Sequence, residues 1–149
     1  MTHIKTAIIV LIIAMLLSLV FMYANLMSVI SSTKSNTERV LDSFVIENAT
    51  YIYNSIKNGN DFTASINANY YISKTSSELS LDISGGMLYN RDEQGGYNFR
   101  MTNPQTYFTV SNTLNLTTTY DLLFPINFAG KKVTELRVPI RVKASYNLK

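Results

Sequence analysis

"AIIVLIIAMLLSLVFMYANLMSVI", Ala7 to Ile30, carries no charged side chain over its 24 residues, and the fold turns on how it is read. A bilayer's hydrocarbon core takes roughly 20 apolar residues as a helix. A cleavable secretory signal has an apolar core of only about 7 to 15 residues, with a small-x-small site behind it. This stretch is longer, and no Ala-x-Ala follows it. It therefore reads as a retained single-pass membrane span. Ser18, Asn25 and Ser28 are its polar interruptions. Each is small enough to hydrogen-bond locally or against a neighbouring helix, so Ser18 and Asn25 mark a candidate helix-packing face. Six residues precede the span, Lys5 and His3 among them, and most of the chain follows it. The expected orientation puts the short N-terminus in the cytoplasm and the remainder outside.

Beyond Ile30 the apolar residues change from continuous to periodic. Leu41, Phe44, Val45, Ala49, Ile52 and Ile56 fall within one arc at about 100 degrees per residue, the stripe of an amphipathic helix. Neither Gly nor Pro occurs between Ala7 and Asn58, and Asn58-Gly59 supplies a stop signal. One helix over about residues 5 to 58 is expected, with its weakest point in "SSTKSNTE", since Ser, Thr and Asn are poor helix formers. From Asp61 onward Thr, Tyr, Ile and Val rise, with Gly85-Gly86, Gly95-Gly96 and Gly130 as punctuation. "SELSLDIS" alternates Leu79, Leu81 and Ile83 with polar residues, as a half-buried strand does. "YNFRM" and "YFTVSNTLNLTTTYDLLFPINF" read as strands too. "TTTYDLLFPINF" and "VTELRVPIRVKASYNL", joined by "AGKK", predict a closing antiparallel hairpin. In the last strand Leu136, Val138, Ile140 and Val142 share a face opposite Arg137, Arg141 and Lys143. Pro125 and Pro139 cannot donate to a ladder, which places them at edges or bulges. The fold class is α+β. A long N-terminal helix over 1–58 (span 7–30, amphipathic extension 31–58) precedes a small antiparallel β head over 59–149.

Composition excludes several function classes. The net charge of +3 arises from 13 basic and 10 acidic residues, scattered rather than gathered into the positive stripe that nucleic acid requires. With no cysteine and one histidine, there is no thiol nucleophile, no zinc knuckle and no histidine base outside His3. Asp92, Glu93 and Asp121 lack the dense Asp-x-Asp pattern of a calcium loop, and a solvated turn is the expected role of Asp92-Glu93. No catalytic, cofactor or metal residues are expected, and the chain does not read as an enzyme. "NAT" at Asn48 and "NLT" at Asn115 fit the glycosylation pattern. Ten tyrosines raise a binding alternative: "NANYYIS" and "NPQTYFTV" can offer aromatic faces to a sugar or a partner protein.

An uncharged helix that continues as an amphipathic one and ends in a β head is the plan of type IV pilins and pseudopilins. "SSTKSNTERVLDSFVIENATYIYNSIKNGN" and "YDLLFPINFAGKKVTELRVPIRVKASY" resemble the TadE-like minor pilins found with tight-adherence and related secretion clusters of Gram-positive bacteria. The resemblance covers the first 60 residues and the last 30. It implies a structural subunit of an envelope pilus or secretion assembly, built by helix packing and head contacts in a homo- or hetero-oligomer. Other pilin-like subunits, a membrane assembly platform and the bilayer are its implied partners. Lys5, Ser18, Asn25 and Ser28 are the implied assembly residues. Pilins carry a Glu at the fifth mature position and a Gly at the processing site. Lys5 near the start, and no Gly before the span, favour an accessory subunit or an uncut pseudopilin-like anchor. The alternative function is a membrane-anchored adhesin or ligand-binding ectodomain whose helix is only a tether.

Overall fold

In the computed structural model, residues 2–60, 68–128 and 130–147 are described. The expected onset of β structure at Asp61 and Ala129 of the "AGKK" turn lie outside them. The chain is α+β: helices α1 (Thr2–Glu47), α2 (Ala49–Lys57) and α3 (Ala68–Leu79) come first. Strands β1 (Asp82–Ser84), β2 (Met87–Arg91), β3 (Tyr97–Thr102), β4 (Gln105–Val110), β5 (Thr113–Phe128) and β6 (Lys131–Asn147) follow and form one antiparallel sheet. Two compact units divide the chain, Met1–Thr33 and Lys34–Lys149.

The first unit lies within α1. Every side chain from His3 to Asn25 is exposed. Fully burying one Leu, Ile, Val or Phe side chain is worth about 1.5 to 3 kcal/mol. Leaving this many in water costs on the order of tens of kcal/mol, which a hydrocarbon solvent removes. Among the described residues, this is the one helix long and apolar enough to cross a membrane.

In the second unit, helices pack against one face of the sheet. Val40, Leu41 and Phe44 of α1, Ile52 of α2 and Tyr71 of α3 are buried together with Leu88, Met101, Leu114, Leu116, Leu122, Ile140 and Val142 of the strands. The Phe44 and Phe108 rings meet with centroids 5.9 Å apart. The arc predicted over 41–56 is this buried face, although Ala49 is exposed.

The single helix expected to residue 58 is interrupted at Asn48, which forms a turn between α1 and α2. The Asn48 side-chain amide donates to the Phe44 carbonyl (2.9 Å), competing with the backbone for a helical acceptor. The stop at Asn58-Gly59 is where it was expected: Gly59 has φ +69°. Its N–H reaches the Ile56 carbonyl (3.1 Å) while that of Asn60 reaches Ser55 (2.8 Å), a Schellman closure.

The strand expected at "SELSLDIS" is split between the end of a helix and a short strand. α3 runs to Leu79, and Ser80 adopts φ +51° to close it, with Leu81 N–H bonded to the Ser76 carbonyl (2.8 Å). Only Asp82–Ser84 is strand, and Ile83 is exposed although the alternation put it inside. Period-2 alternation over so few residues does not exclude a helix whose buried residues, among the described side chains, are Tyr71 and Thr75, one turn apart.

β5 is the hub of the sheet. One of its edges pairs with β4 (Gln105↔Thr119 to Val110↔Leu114) and then with β3 (Arg100↔Leu123, Met101↔Leu122). β6 lines the other edge from Thr113↔Asn147 to Phe128↔Lys131. The closing hairpin therefore forms as predicted. Gly85-Gly86 joins β1 to β2, and the Asp92–Gly96 turn joins β2 to β3. Pro139 lies on β6, an edge strand, and Pro125 pairs only with Glu135 of β6, next to a register shift at Ile126/Asn127.

Candidate interaction surfaces

The four candidate assembly residues all lie on α1 and are all exposed. Ser18 and Asn25 stand seven residues apart, close to two full turns, and share a face. Ser28 is rotated some 60 degrees from Asn25, and Lys5 falls on roughly the opposite side. The helix thus brings together Ser18 and Asn25, with Ser28 beside them, and separates Lys5. A shallow depression lined by Ala7, Val10, Leu11 and Ala14 continues the side of the helix that carries Ser18 and Asn25 toward the N-terminus.

In the second unit, the ladder register sorts the side chains of β4, β5 and β6 onto two faces. Inward are Thr106, Thr118 and Val142 in one row and Phe108, Leu116 and Ala144 in the next. This inner face carries a buried hydroxyl seam. The Tyr71 hydroxyl pairs with Thr118 Oγ1 (3.0 Å), Thr118 with Thr106 (2.9 Å), and Thr37 Oγ1 with the Tyr120 hydroxyl (2.9 Å). Burial pushes the Tyr120 phenol up to about 12, against the opposing bond from Thr37. Burial also raises Tyr71. Tyr71 therefore presents no aromatic surface from "NANYYIS"; it is a core residue, and the side chain of Tyr70 lies outside the described ones.

The outer face is different in kind. Its rows are Gln105, Thr119 and Arg141; Tyr107, Thr117 and Lys143; and Thr109, Asn115 and Ser145. Tyr107 of "NPQTYFTV" is 62% exposed, so this expected aromatic face does reach solvent. Ser145 donates to Asn115 Oδ1 (2.7 Å), whose amide donates to Thr113 Oγ1 (3.0 Å). Asn48 and Asn115, the two glycosylation-pattern residues, both have their carboxamides engaged in hydrogen bonds.

Farther along the outer face, Glu135 of β6 is the centre of a polar cluster that no sequence pattern marked. Arg100 Nε lies 2.9 Å from Glu135 Oε1 and its Nη2 holds Oε2, a bidentate fork. The Tyr97 hydroxyl donates to Oε1 (2.8 Å), and Lys132 Nζ lies 2.9 Å from both that carboxylate oxygen and the Tyr97 hydroxyl. The Arg100 fork, followed by Lys132 and Tyr97, holds Glu135 down to about 2 despite burial. The cluster links β3 directly to β6, clamping β3 where only two of its residues pair with β5. Its separations of 35 and 38 residues in sequence explain why reading along the chain missed it.

Two of the acidic candidates, Asp92 and Asp121, have structural roles. Asp92 Oδ1 accepts the N–H groups of Gln94 (3.0 Å) and Gly96 (2.7 Å), and Asp121 pairs with Arg137. A Cβ added at Gly96 would lie 2.6 Å from Asp92 Oδ2, so any larger residue there must displace the Asp92 carboxylate. Among the described residues no group of three His, Asp or Glu is placed to hold a metal ion. No family model matches the chain, and no curated protein or solved structure matches it.

Proposed function

We propose that this protein is a structural subunit of an envelope pilus or secretion assembly, a minor pilin or pseudopilin-like protein of the TadE-like kind. The observation that carries the reading is α1. Its exposed apolar half is followed by an amphipathic half whose greasy face is buried under a β sheet. Lipid tails are about as apolar as Leu, so moving such a helix from lipid to neighbouring helices costs little. Close packing and small polar residues then decide association. Ser18 and Asn25 on one face suit that exchange. The proposed topology has a short cytoplasmic N-terminus and an extracytoplasmic head at the cell surface. The proposed partners are other pilin-like subunits and a membrane platform. The proposed role is mechanical: of the acidic residues weighed for chemistry, Asp92 is engaged in a turn and Asp121 in an ion pair.

The test places a photoreactive amino acid at position 18 or 25 in cells making the full chain, with positions 20 and 27 on the opposite side as comparison. Protein adducts to a second pilin-like helix from 18 and 25, and few from 20 and 27, are expected. Lipid adducts alone from all four positions would overturn the assembly reading and leave a plain tether.

A further inference from the structure

We propose that the outer face of β4, β5 and β6 is a binding platform for an anionic polysaccharide, with Tyr107 as its stacking plate and Arg141 and Lys143 as its charge anchors. Backbone ladders are saturated in the middle of this face, so a ligand must be recognised by side chains. Those available are hydroxyls and amides that both donate and accept: Gln105, Thr109, Thr117 and Thr119, with Asn115 and Ser145 beside them. Polyhydroxyl chains complement such a surface better than an extended peptide, whose own backbone seeks a sheet edge.

Tyr107 stands in the middle row in line with Thr117 and Lys143. At about 4.8 Å between strands, its Cα is roughly 10 Å from that of Lys143. An exposed phenol on a flat polar field presents an apolar plate to the C–H face of a sugar ring, with its hydroxyl free to bond at the edge. Two shallow depressions of about 510 and 500 Å³ mark the face. Thr109, Asn115, Lys143 and Ser145 help to line one, and Gln105, Thr119, Asp121 and Arg141 the other.

Charge selects the class of glycan. The two carboxylates that β5 and β6 contribute to this face are both taken: Asp121 by Arg137, and Glu135 by Arg100, Lys132 and Tyr97. Arg141 and Lys143 are exposed and have no ion pair among the described residues. They are two residues apart on β6, so their Cα atoms stand about 7 Å apart and meet successive acidic groups of one chain. Two cations are too few for a nucleic-acid footprint, which neutralises several phosphates together.

This inference is independent of the assembly reading, which concerns α1, and each survives the failure of the other. The test uses the full chain in phosphatidylcholine nanodiscs, with polygalacturonate as probe and its methyl-esterified form as the uncharged comparison. Biolayer interferometry reads the affinity, and circular dichroism confirms folding of each variant. Wild-type protein is expected to bind polygalacturonate at least about tenfold more tightly than the ester, as two desolvated charge contacts would give. The double variant Arg141→Gln/Lys143→Gln should lose that preference, and Tyr107→Ala should weaken binding about five- to tenfold, the scale of one aromatic contact. Lys57→Gln, which removes a cation from α2, should change nothing. Absence of binding, equal binding of the ester, an unaffected Tyr107→Ala, or a loss in Lys57→Gln equal to that of the double variant would each overturn the proposal.

Discussion

Replacing Glu135 by Gln removes the charge at the centre of the Arg100, Lys132 and Tyr97 cluster while keeping its shape. The carboxyl is held at about 2 in the folded protein, chiefly by the Arg100 fork, against an ordinary value of 4.5. A depressed carboxylate stabilises the fold above its unfolded value, and that stability is lost as pH falls through the folded one. The window is therefore pH 4.5 down to 2. Each unit of pKa shift corresponds to about 1.4 kcal/mol, which sets an upper bound of about 3.4 kcal/mol. The Glu135 side chain is 14% exposed and that of Arg100 26%, so solvent screening trims the expected value to about 2 kcal/mol. For a unit of this size that is roughly 8 °C in Tm. The assay is thermal unfolding followed by near-ultraviolet circular dichroism of the tyrosines, with full chains in nanodiscs, from pH 7 to pH 2. Wild type should exceed Glu135→Gln by a constant margin above pH 5, and the two curves should converge as pH approaches 2. Parallel curves across that window would refute the argument, because the titrating group would then lie elsewhere.

Two further outcomes follow from the buried seam and from the end of α3. Tyr120 is pushed up to about 12 by burial, a raised group whose stabilisation is complete below its ordinary value of 10 and lost as pH rises from 10 to 12. Tyr120→Phe should lower stability at pH 7 by about 1 to 2 kcal/mol through the lost bond to Thr37 and flatten the alkaline limb, as read by urea unfolding at pH 7 and 11. Ser80 holds φ +51° at the end of α3, so Ser80→Gly should raise the urea midpoint, by up to about 1 kcal/mol of stability, whereas Ser80→Val should lower it.

The parts of the fold that were legible in the sequence are those set by local physics. The uncharged run from Ala7 to Ile30, the glycine after Asn58 and the alternation of the last two strands each declare themselves within a window of a few residues, and the structure has all three. In the sequence Asn48 stands out only as a glycosylation-pattern residue. Its amide shares the Phe44 carbonyl with its own backbone N–H where α1 gives way to α2, a side-chain contact that a hydrophobic pattern does not register. α3 was missed because its polar residues conceal two inward positions, Tyr71 and Thr75. Tyr107 could be flagged as an aromatic in a strand, yet whether it faced solvent depended on register. The Glu135 cluster and the hydroxyl seam join residues far apart in the chain, and pairing at such distance leaves no local signature.

The position of β5 and β6 in the chain has a consequence for biogenesis. Among the described strands β5, with which β3 and β4 both pair, follows them in the chain, and Tyr146 donates to Asp42 across 104 residues of sequence. A chain emerging from a ribosome has no β5 to join β3 to β4 until both of those strands have been made. β1, β2 and β3 can pair with one another as they emerge, whereas β4 waits for β5 and the bond to Asp42 waits for the end of β6, so the last contacts of this head form late.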